Sequence, residues 1–318
     1  MRKVALDMVY ELAKNDKRIF FVGSDLGIDT LQKFKQEMPD RFLMEGVSEA
    51  NLIGVSAGLA MEGKIVYANT IATFLSRRCF EQIVLDACLH HANVRLIANG
   101  GGLVYAPLGP THLAIDDIAI LRAVPNMTIV APADADEMRR LMPQTVDYPG
   151  PIYIRLAKGF DPIVTNDEIP FQIGKALVMR EGSEALIITT GITLRLAQEA
   201  ASKLETQGVE AAIVHVPTIK PLDIETLMSF IEKTSTIVTV EEHTILGGLG
   251  SAVAELIAEA NFNTPKRFKR IGIPDVFADQ YGSQDSLMAR YDITSDNIIS
   301  VIKQLQEVSR VGISLDIE

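Results

Sequence analysis

The segment EGVSEANLIGVSAGLAMEGKIVYANTIATFLSRR, residues 45–78, joins a helix pattern to a strand pattern. Residues 49–61 are an apolar run rich in small side chains, and Ser48 stands in the N-cap position, which together predict a buried helix. Residues 65–69, IVYAN, have no polar alternation, as expected for a strand that helices cover on both faces. The segment therefore predicts a helix followed by a central strand of a parallel sheet.

The same alternation continues in both directions from this segment. In the first half, strand patterns occur at 19–22, 42–44, 65–69, 94–99, 127–130 and 152–155, with helix patterns at 49–61, 79–91, 115–123 and 135–145. In the second half, strand patterns occur at 185–189, 211–216, 237–241 and 267–273, with helix patterns at 194–207, 224–232, 249–260 and 295–308. Residues 156–184 interrupt the alternation with Pro, Gly and acidic residues. The pattern predicts two doubly wound α/β domains, the second smaller, with the divisions 1–160, linker 161–184, 185–310 and tail 311–318.

The composition limits the classes of function. With 30 Lys and Arg against 41 Asp and Glu, the net charge is −11, which argues against general nucleic-acid binding. No uncharged apolar run approaches the ~20 residues of a membrane span, and the N-terminus has no secretory apolar region. Two cysteines, in a chain of 318 residues, cannot alone form a zinc site or a disulfide framework. We therefore expect a cytoplasmic protein, and none of its own residues is singled out as a metal ligand.

Ligands of such sheets bind at the carboxyl ends of the parallel strands, where three side chains are of interest. Glu49 begins a helix, where a carboxylate is favoured by the helix dipole alone. His112 lies in a Gly-Pro-Thr-His turn, in which a structural hydrogen bond would account for it. Phe74 precedes a pair of arginines and would ordinarily be a core residue. Taken singly, none of the three indicates a function.

Three longer segments, 45–78, 109–141 (GPTHLAIDDIAILRAVPNMTIVAPADADEMRRL) and 238–259 (VTVEEHTILGGLGSAVAELIAE), together resemble one family. In order and spacing they are similar to the pyrimidine-binding and C-terminal domains of transketolase, a thiamine-diphosphate family. The likeness covers residues 2–308 and extends to 1-deoxyxylulose-5-phosphate synthase and to the β subunits of 2-oxoacid dehydrogenases. The resemblance implies a parallel-sheet pyrimidine-binding domain followed by a smaller transketolase C-terminal domain.

The resemblance implies a cofactor role for several residues. Glu49 matches the glutamate that hydrogen-bonds the aminopyrimidine ring of thiamine diphosphate and promotes activation of its thiazolium carbon. Phe74 matches the aromatic residue that stacks on that ring, and Asp25 matches an aspartate near the thiazolium cation.

Two further positions match cofactor-binding residues of transketolase, and one of them has changed. Transketolases keep aromatic residues three and six positions after the one matched by Phe74, and this chain has Arg77 and Phe80 there. The synthase has an arginine near this point, and the alignment does not choose between Arg77 and Arg78.

On the substrate side, His112 matches the histidine that contacts the carbonyl oxygen of the donor. Leu108 replaces an acidic residue that binds a donor hydroxyl, and Asp29 stands where the family has a phosphate-binding serine. The cations whose matches hold sugar phosphate are Arg2, Arg155 and Lys158. A phosphorylated sugar, a nucleotide-linked, amino or sulfonated sugar and a simple 2-oxoacid such as pyruvate all remain open as substrates.

The chain lacks the Gly-Asp-Gly…Asn motif that holds the cofactor's Mg²⁺ and diphosphate in this family. The resemblance therefore implies a partner, an N-terminal-half subunit with that site, in an α₂β₂ assembly. A truncated longer protein would look the same, but Met1 at the start of the domain favours a natural split. Within this picture, Glu241–His243 and Gly247–Gly250 are expected at the dimer interface.

The function implied is transfer of a two-carbon ketol unit between sugars by a thiamine-diphosphate-dependent enzyme. One alternative is the β subunit of a 2-oxoacid-decarboxylating or acyloin-forming enzyme. The other is a scaffold subunit without catalytic activity, against which the joint presence of Glu49, Phe74 and His112 argues.

Overall fold

The computed structural model describes residues 1–25, 31–157 and 161–311, with the backbone alone from 308 onward. Its strands are β1 (Ile19–Gly23), β2 (Phe42–Met44), β3 (Ile65–Ile71), β4 (Val94–Asn99), β5 (Thr128–Val130), β6 (Ile152–Leu156), β7 (Leu177–Arg180), β8 (Ala185–Thr189), β9 (Ala211–His215), β10 (Thr218–Lys220), β11 (Thr236–Thr244) and β12 (Arg267–Ile273). Its helices are α1 (Arg2–Asn15), α2 (Gln32–Glu37), α3 (Glu49–Met61), α4 (Ala72–Arg77), α5 (Phe80–Gln82), α6 (Asp117–Arg122), α7 (Ala135–Gln144), α8 (Leu194–Glu205), α9 (Ile224–Ile231), α10 (Leu249–Glu259), α11 (Gln284–Arg290) and α12 (Ser295–Val311). A π-helical segment, Ile83–Leu89, continues α5.

The described strands of the first domain form a sheet in the order β10-β5-β6-β4-β3-β1-β2. All its pairs are parallel except β10 with β5. The central strands β4 and β6 are buried along their whole length, because one apolar cluster packs on each face of the sheet. The parallel α/β fold predicted for this half is confirmed, and its carboxyl edge presents the ends of β1, β3 and β4 side by side.

The second sheet has the order β12-β11-β8-β9-β7, in which only β7 is antiparallel to its neighbour within the described residues. β7 lies inside 161–184, the segment predicted to be a linker, so the second sheet starts earlier in the chain than expected. The preceding residues are also structured: Phe171 and Ile173 are buried in the same cluster as α1 and α7. This part of the predicted linker therefore belongs to the packing of both domains.

β10 is the other strand that the sequence pattern did not predict. It has three residues between Pro217 and Pro221, follows β9 of the second domain, and pairs with β5 at the edge of the first sheet. The two domains thus share a strand as well as a covalent link. None of the helices in the described residues combines the length and the apolar character that crossing a membrane requires.

Candidate active site

The carboxylate of Glu49 lies at the start of α3, just beyond the end of β2. The side chain is 5% exposed, in the first turn of a 13-residue helix. The Ser48 hydroxyl does not cap this helix, because it donates to the Glu45 carbonyl at 2.7 Å. Glu49 is therefore the first residue of a helix that has no side-chain cap.

Phe74 and Arg78 come to the same place because they are four residues apart at the end of α4. The Arg78 N–H donates to the Phe74 carbonyl at 3.1 Å, so the last turn stacks the two side chains. The guanidinium carbon of Arg78 is 3.8 Å from the centroid of the Phe74 ring. Its Nη1 lies 3.3 Å from Oε1 and 3.2 Å from Oε2 of Glu49. A planar cation thus lies on the aromatic ring and donates to the buried carboxylate.

The sequence did not choose between Arg77 and Arg78, and the structure gives their side chains different partners. Arg77 turns away and forms a two-point ion pair with Asp116, with Nη2 2.8 Å from Oδ1 and Nε 3.0 Å from Oδ2. Phe80 packs as a partly buried side chain against the core of the first domain. Arg78, and not Arg77, therefore contacts Glu49 and Phe74.

His112 ends a 3₁₀ turn, Pro110–His112, and lies beside Phe74. The two rings are 5.2 Å apart between centroids with an edge-on angle of 64°. Its Nδ1 is 2.9 Å from the Thr111 hydroxyl, and its Nε2 has no hydrogen-bond partner in the described part of the chain. The structure thus brings Glu49, Phe74 and His112 together around the Phe74 ring.

Asp25 and Arg2, two further predicted site residues, lie close to a third residue, Tyr105. Asp25 is exposed at the end of β1, and its Oδ1 accepts a bond from Ser24 at 3.0 Å. Burial raises the pKa of Tyr105, whereas the nearby charge of Arg2 opposes the shift and that of Asp25 adds to it. Tyr105 therefore lies close to both residues, although nothing in the sequence drew attention to it. Leu108, three residues later, is 51% exposed.

Arg155 is not placed to bind a substrate, contrary to the expectation. It is 7% exposed, and its Nε donates to Asp117 at 2.8 Å. Its Nη2 donates to the carbonyls of Ala114 and Glu242, both at 3.0 Å. The guanidinium is used to join β6 of the first domain to β11 of the second.

The Glu241–His243 segment lies in this same junction between the two domains of one chain. Glu241 accepts bonds from the backbone of Leu249 and Gly250 at the start of α10, at 2.8 and 2.9 Å. Glu242 accepts from Leu103 N–H of the first domain at 2.8 Å, and a Cβ on Gly102 would be 2.4 Å from its carboxyl carbon. The segment expected at a dimer interface thus already has partners within its own chain.

Two predicted substrate-side residues and the question of a metal site remain. Asp29 and Lys158 lie outside the described residues. In the part of the chain that the structure describes, no group of three or more His, Cys, Asp or Glu side chains is arranged to hold a metal ion.

Comparison with known proteins identifies the family of both domains. Residues 1–160 match the family model for the transketolase pyrimidine binding domain, and residues 174–298 match that for the transketolase C-terminal domain. The chain is 35% identical over 308 residues to the 6-deoxy-6-sulfo-D-fructose transketolase subunit SqwH of Clostridium sp. (strain MSTE9), covering 96% of this chain and 94% of the relative. It is 38% identical over 299 residues to an apulose-4-phosphate transketolase subunit of Phocaeicola vulgatus, covering 93% and 94%.

A solved structure described as "Split gene transketolase, inactive beta4 tetramer" superposes with a TM-score of 0.87 at 34% identity, over 96% of this chain and 98% of that one. Both domains of the chain, in the same order, are therefore those of the relatives. The chain belongs to the transketolase family, in which it corresponds to the pyrimidine-binding and C-terminal domains of a split transketolase.

Proposed function

We propose that this chain is the subunit of a thiamine-diphosphate-dependent transketolase that activates the cofactor for two-carbon ketol transfer between sugars. The observation that carries the proposal is the contact of one planar, hydrogen-bond-donating group with both Glu49 and Phe74. An aminopyrimidine ring has the same needs, namely an acidic partner for a ring nitrogen and an aromatic surface for its face. The residues present therefore fit this part of the cofactor.

When bound, thiamine diphosphate would supply the nucleophilic carbon and the electron sink that cleavage of a carbon–carbon bond beside a carbonyl requires. Glu49 would share a proton with a nitrogen of the pyrimidine, in a position from which bulk water is largely excluded, since the side chain is 5% exposed. Phe74 would fix the plane of the ring. Asp25, at the end of β1, would add negative charge on the side of the thiazolium cation.

His112 would act on the substrate. Its Nδ1 is engaged with the Thr111 hydroxyl at 2.9 Å, which orients the ring and directs Nε2 outward from that bond. A hydrogen bond from Nε2 to the donor's carbonyl oxygen would stabilise negative charge that develops there. The edge contact with Phe74 holds this ring near the cofactor-binding residues.

The cofactor's diphosphate and Mg²⁺ belong, in this proposal, to an N-terminal-half partner in an α₂β₂ assembly. Mg²⁺ takes carboxylate and phosphate oxygens in octahedral geometry, and the described residues offer no matching cluster. The relative described as an inactive beta4 tetramer supports the same view, because four copies of a chain of this extent are inactive by that description.

The substrate class proposed is a ketose that carries an anionic group. The relatives' names include one sulfonated and one phosphorylated sugar, so both anions are candidates. Arg2 is a described cation near Tyr105, and the roles of Arg2 and Lys158 toward the anionic group stay predictions. The exposed Leu108 offers no hydrogen bond to a donor hydroxyl, which favours donors without the hydroxyl that transketolase binds there.

The test is Glu49→Gln in the chain assembled with its partner. We expect ketol transfer, measured with a panel of ketose donors, to fall on the order of 10²- to 10⁴-fold, because the amide cannot share the proton. Assembly, measured by light scattering, should be unchanged. Glu45→Gln is the matched control: it lies on the same loop, bonds Asn51 and does not contact Phe74 in the described structure.

Near-normal turnover of Glu49→Gln would contradict the assignment of the catalytic carboxylate. Failure of the wild-type pair to bind thiamine diphosphate would favour the scaffold alternative. Turnover of pyruvate but of no ketose would favour the 2-oxoacid alternative.

A further inference from the structure

Arg78 makes the two contacts on which the proposed function depends, and it belongs to this chain. Its guanidinium lies 3.8 Å from the Phe74 centroid, and its Nη1 lies within 3.3 Å of both oxygens of Glu49. The position that contacts both the Glu49 carboxylate and the face of the Phe74 ring is called here the pyrimidine pocket. We propose that Arg78 is a built-in occupant of this position, which it fills before the ring binds and leaves when the ring binds. This inference rests on the proposed function and concerns how the same site is regulated.

Arg78 and a ring cannot use the pocket at the same time. A separation of 3.8 Å is van der Waals contact, so no second planar group fits between the guanidinium and the Phe74 ring. A donor to Glu49 would also have to displace Nη1, which faces both carboxylate oxygens. The ring and the guanidinium therefore compete for one aromatic face and one carboxylate.

The position of Arg78 beside Glu49 has a physical explanation. Glu49 is 5% exposed, and a buried carboxylate without a partner is costly. A guanidinium meets both needs of the pocket, since it is planar for stacking and charged for the carboxylate. Arg78 thus keeps the pocket neutral and filled while the cofactor is absent.

The occupant is also free to leave. The Arg78 side chain is 49% exposed and follows the last helical residue of α4, so a rotation of its long side chain would place the charge in water. Arg77, by contrast, is held by a two-point ion pair with Asp116. Of these two neighbouring arginines, only Arg78 contacts the two groups, Glu49 and Phe74, that the cofactor ring would contact in its place.

Competition of this kind lowers the apparent affinity for the ring. If Arg78 fills the pocket about 90% of the time, the measured Kd is about ten-fold weaker than that of the empty pocket. Removing the side chain should therefore tighten binding, which is the opposite of what loss of a cofactor ligand would do.

The first experiment uses the full chain and the aminopyrimidine fragment of thiamine, 4-amino-5-hydroxymethyl-2-methylpyrimidine, with Kd measured by NMR titration. Arg78→Ala is expected to bind the fragment about ten-fold more tightly than wild type. Arg139→Ala removes an exposed arginine of the same domain that pairs with Asp136, and it should leave the Kd unchanged. Arg78→Lys keeps the charge without the planar group and should fall between.

A second measurement repeats the Arg78→Ala titration in guanidinium chloride below denaturing concentrations, against NaCl at equal ionic strength. Guanidinium ion should weaken fragment binding to Arg78→Ala and scarcely affect wild type, because only the variant has a vacant cation position. Melting temperatures establish that each variant is folded, and Arg78→Lys serves if Arg78→Ala is not.

The inference is overturned if Arg78→Ala binds the fragment no more tightly than wild type, or does not bind it at all. The same variants, assembled with the partner and titrated with thiamine diphosphate by calorimetry, separate the two proposals. If the wild-type pair binds thiamine diphosphate but Arg78→Ala binds it more weakly, Arg78 is a cofactor ligand and the inference fails. If no assembled pair binds it, the proposed function itself fails.

Discussion

Asp117 is fully buried, and its Oδ2 accepts bonds from the Tyr153 hydroxyl at 2.7 Å and from Arg155 Nε at 2.8 Å. Burial acts to raise the pKa of Asp117, but the charges of Arg155 and His243 and the two hydrogen bonds outweigh it and hold that pKa below its usual value. The carboxylate therefore stays ionised, and the charge of Arg155 is neutralised inside the protein. Arg155, at the end of β6, is thus paired inside the protein and stabilises the fold.

The corresponding prediction concerns Arg155→Met. Removing the guanidinium leaves the Asp117 charge buried and unpaired, which should lower the free energy of unfolding by about 3–5 kcal/mol in urea titrations. Adding Asp117→Asn should recover part of that loss. In the assembled enzyme the KM for the ketose donor should not change, and a raised KM at unchanged stability would make Arg155 a substrate ligand instead.

Glu49, Phe74 and His112 could be assigned to one site from the sequence only through the resemblance to a family, because each residue taken alone had an ordinary structural explanation. The choice between Arg77 and Arg78 could not be made in that way. It depends on how α4 turns at its end and on Asp116, a partner 39 residues away. The role of Arg155 was missed for the same reason, since its partner belongs to another element.

At the level of elements, one carboxylate at the start of α7 links this helix to the segment that precedes β7. Asp134 caps α7 by accepting from the backbone of Asp136 and Glu137, both at 2.9 Å. Its other oxygen accepts from the backbone of Val164 and Thr165, both at 2.7 Å. One carboxylate therefore orders the helix and anchors the chain that leads to the second domain.

We expect Asp134→Ala to lower the free energy of unfolding by about 2–3 kcal/mol, since a cap is lost and buried N–H groups lose their partner. Hydrogen exchange at residues 164 and 165 should accelerate more than exchange in β4. Asp167→Ala, an exposed carboxylate of the same segment, is the control and should stay within about 0.5 kcal/mol of wild type. Equal effects of the two variants would contradict the anchoring role.

Length alone did not decide which elements could be predicted: the three-residue strands β2 and β5 were predicted, whereas the 14-residue helix α1 was not. The pattern of residues 49–61 gives α3 with its observed bounds, because a predominantly apolar run of thirteen residues is itself a strong helix pattern. β7 and β10 have four and three residues and pair antiparallel with β9 and β5 at the sheet edges. Their formation depends on those distant partners, so the sequences of β7 and β10 alone do not predict these strands.

Over the whole molecule, the two domains are joined by a buried carboxyl group. Glu242 accepts bonds from Leu103 N–H and from Gln284 Nε2, both at 2.8 Å, and the first of these crosses between domains. Burial, partly offset by Arg155, raises the pKa of Glu242 from 4.5 to about 7. We therefore expect the stability of this junction to depend on pH near neutrality.

The pH dependence has a definite sign. Below about pH 4.5, Glu242 is protonated in both the folded and the unfolded chain, and burial costs nothing extra. As pH rises from about 4.5 to about 7, the unfolded chain releases this proton more readily, so Glu242 lowers stability by up to about 3 kcal/mol. In Glu242→Gln, unfolding measured between pH 5 and 8 should lack this decline relative to wild type. Parallel pH curves for the two proteins would rule the effect out.

The three-residue β10 strand limits how this protein can be divided. Residues 1–160 match a family model of their own, but a fragment ending there would lack the segment that pairs with β5. Its β5 edge would present unpaired N–H and C=O groups, which recruit other chains and lead to aggregation. A soluble fragment for screening ligands of the Glu49 pocket must therefore extend at least through residue 220, and proteases that cut between the domains should release no stable N-terminal piece.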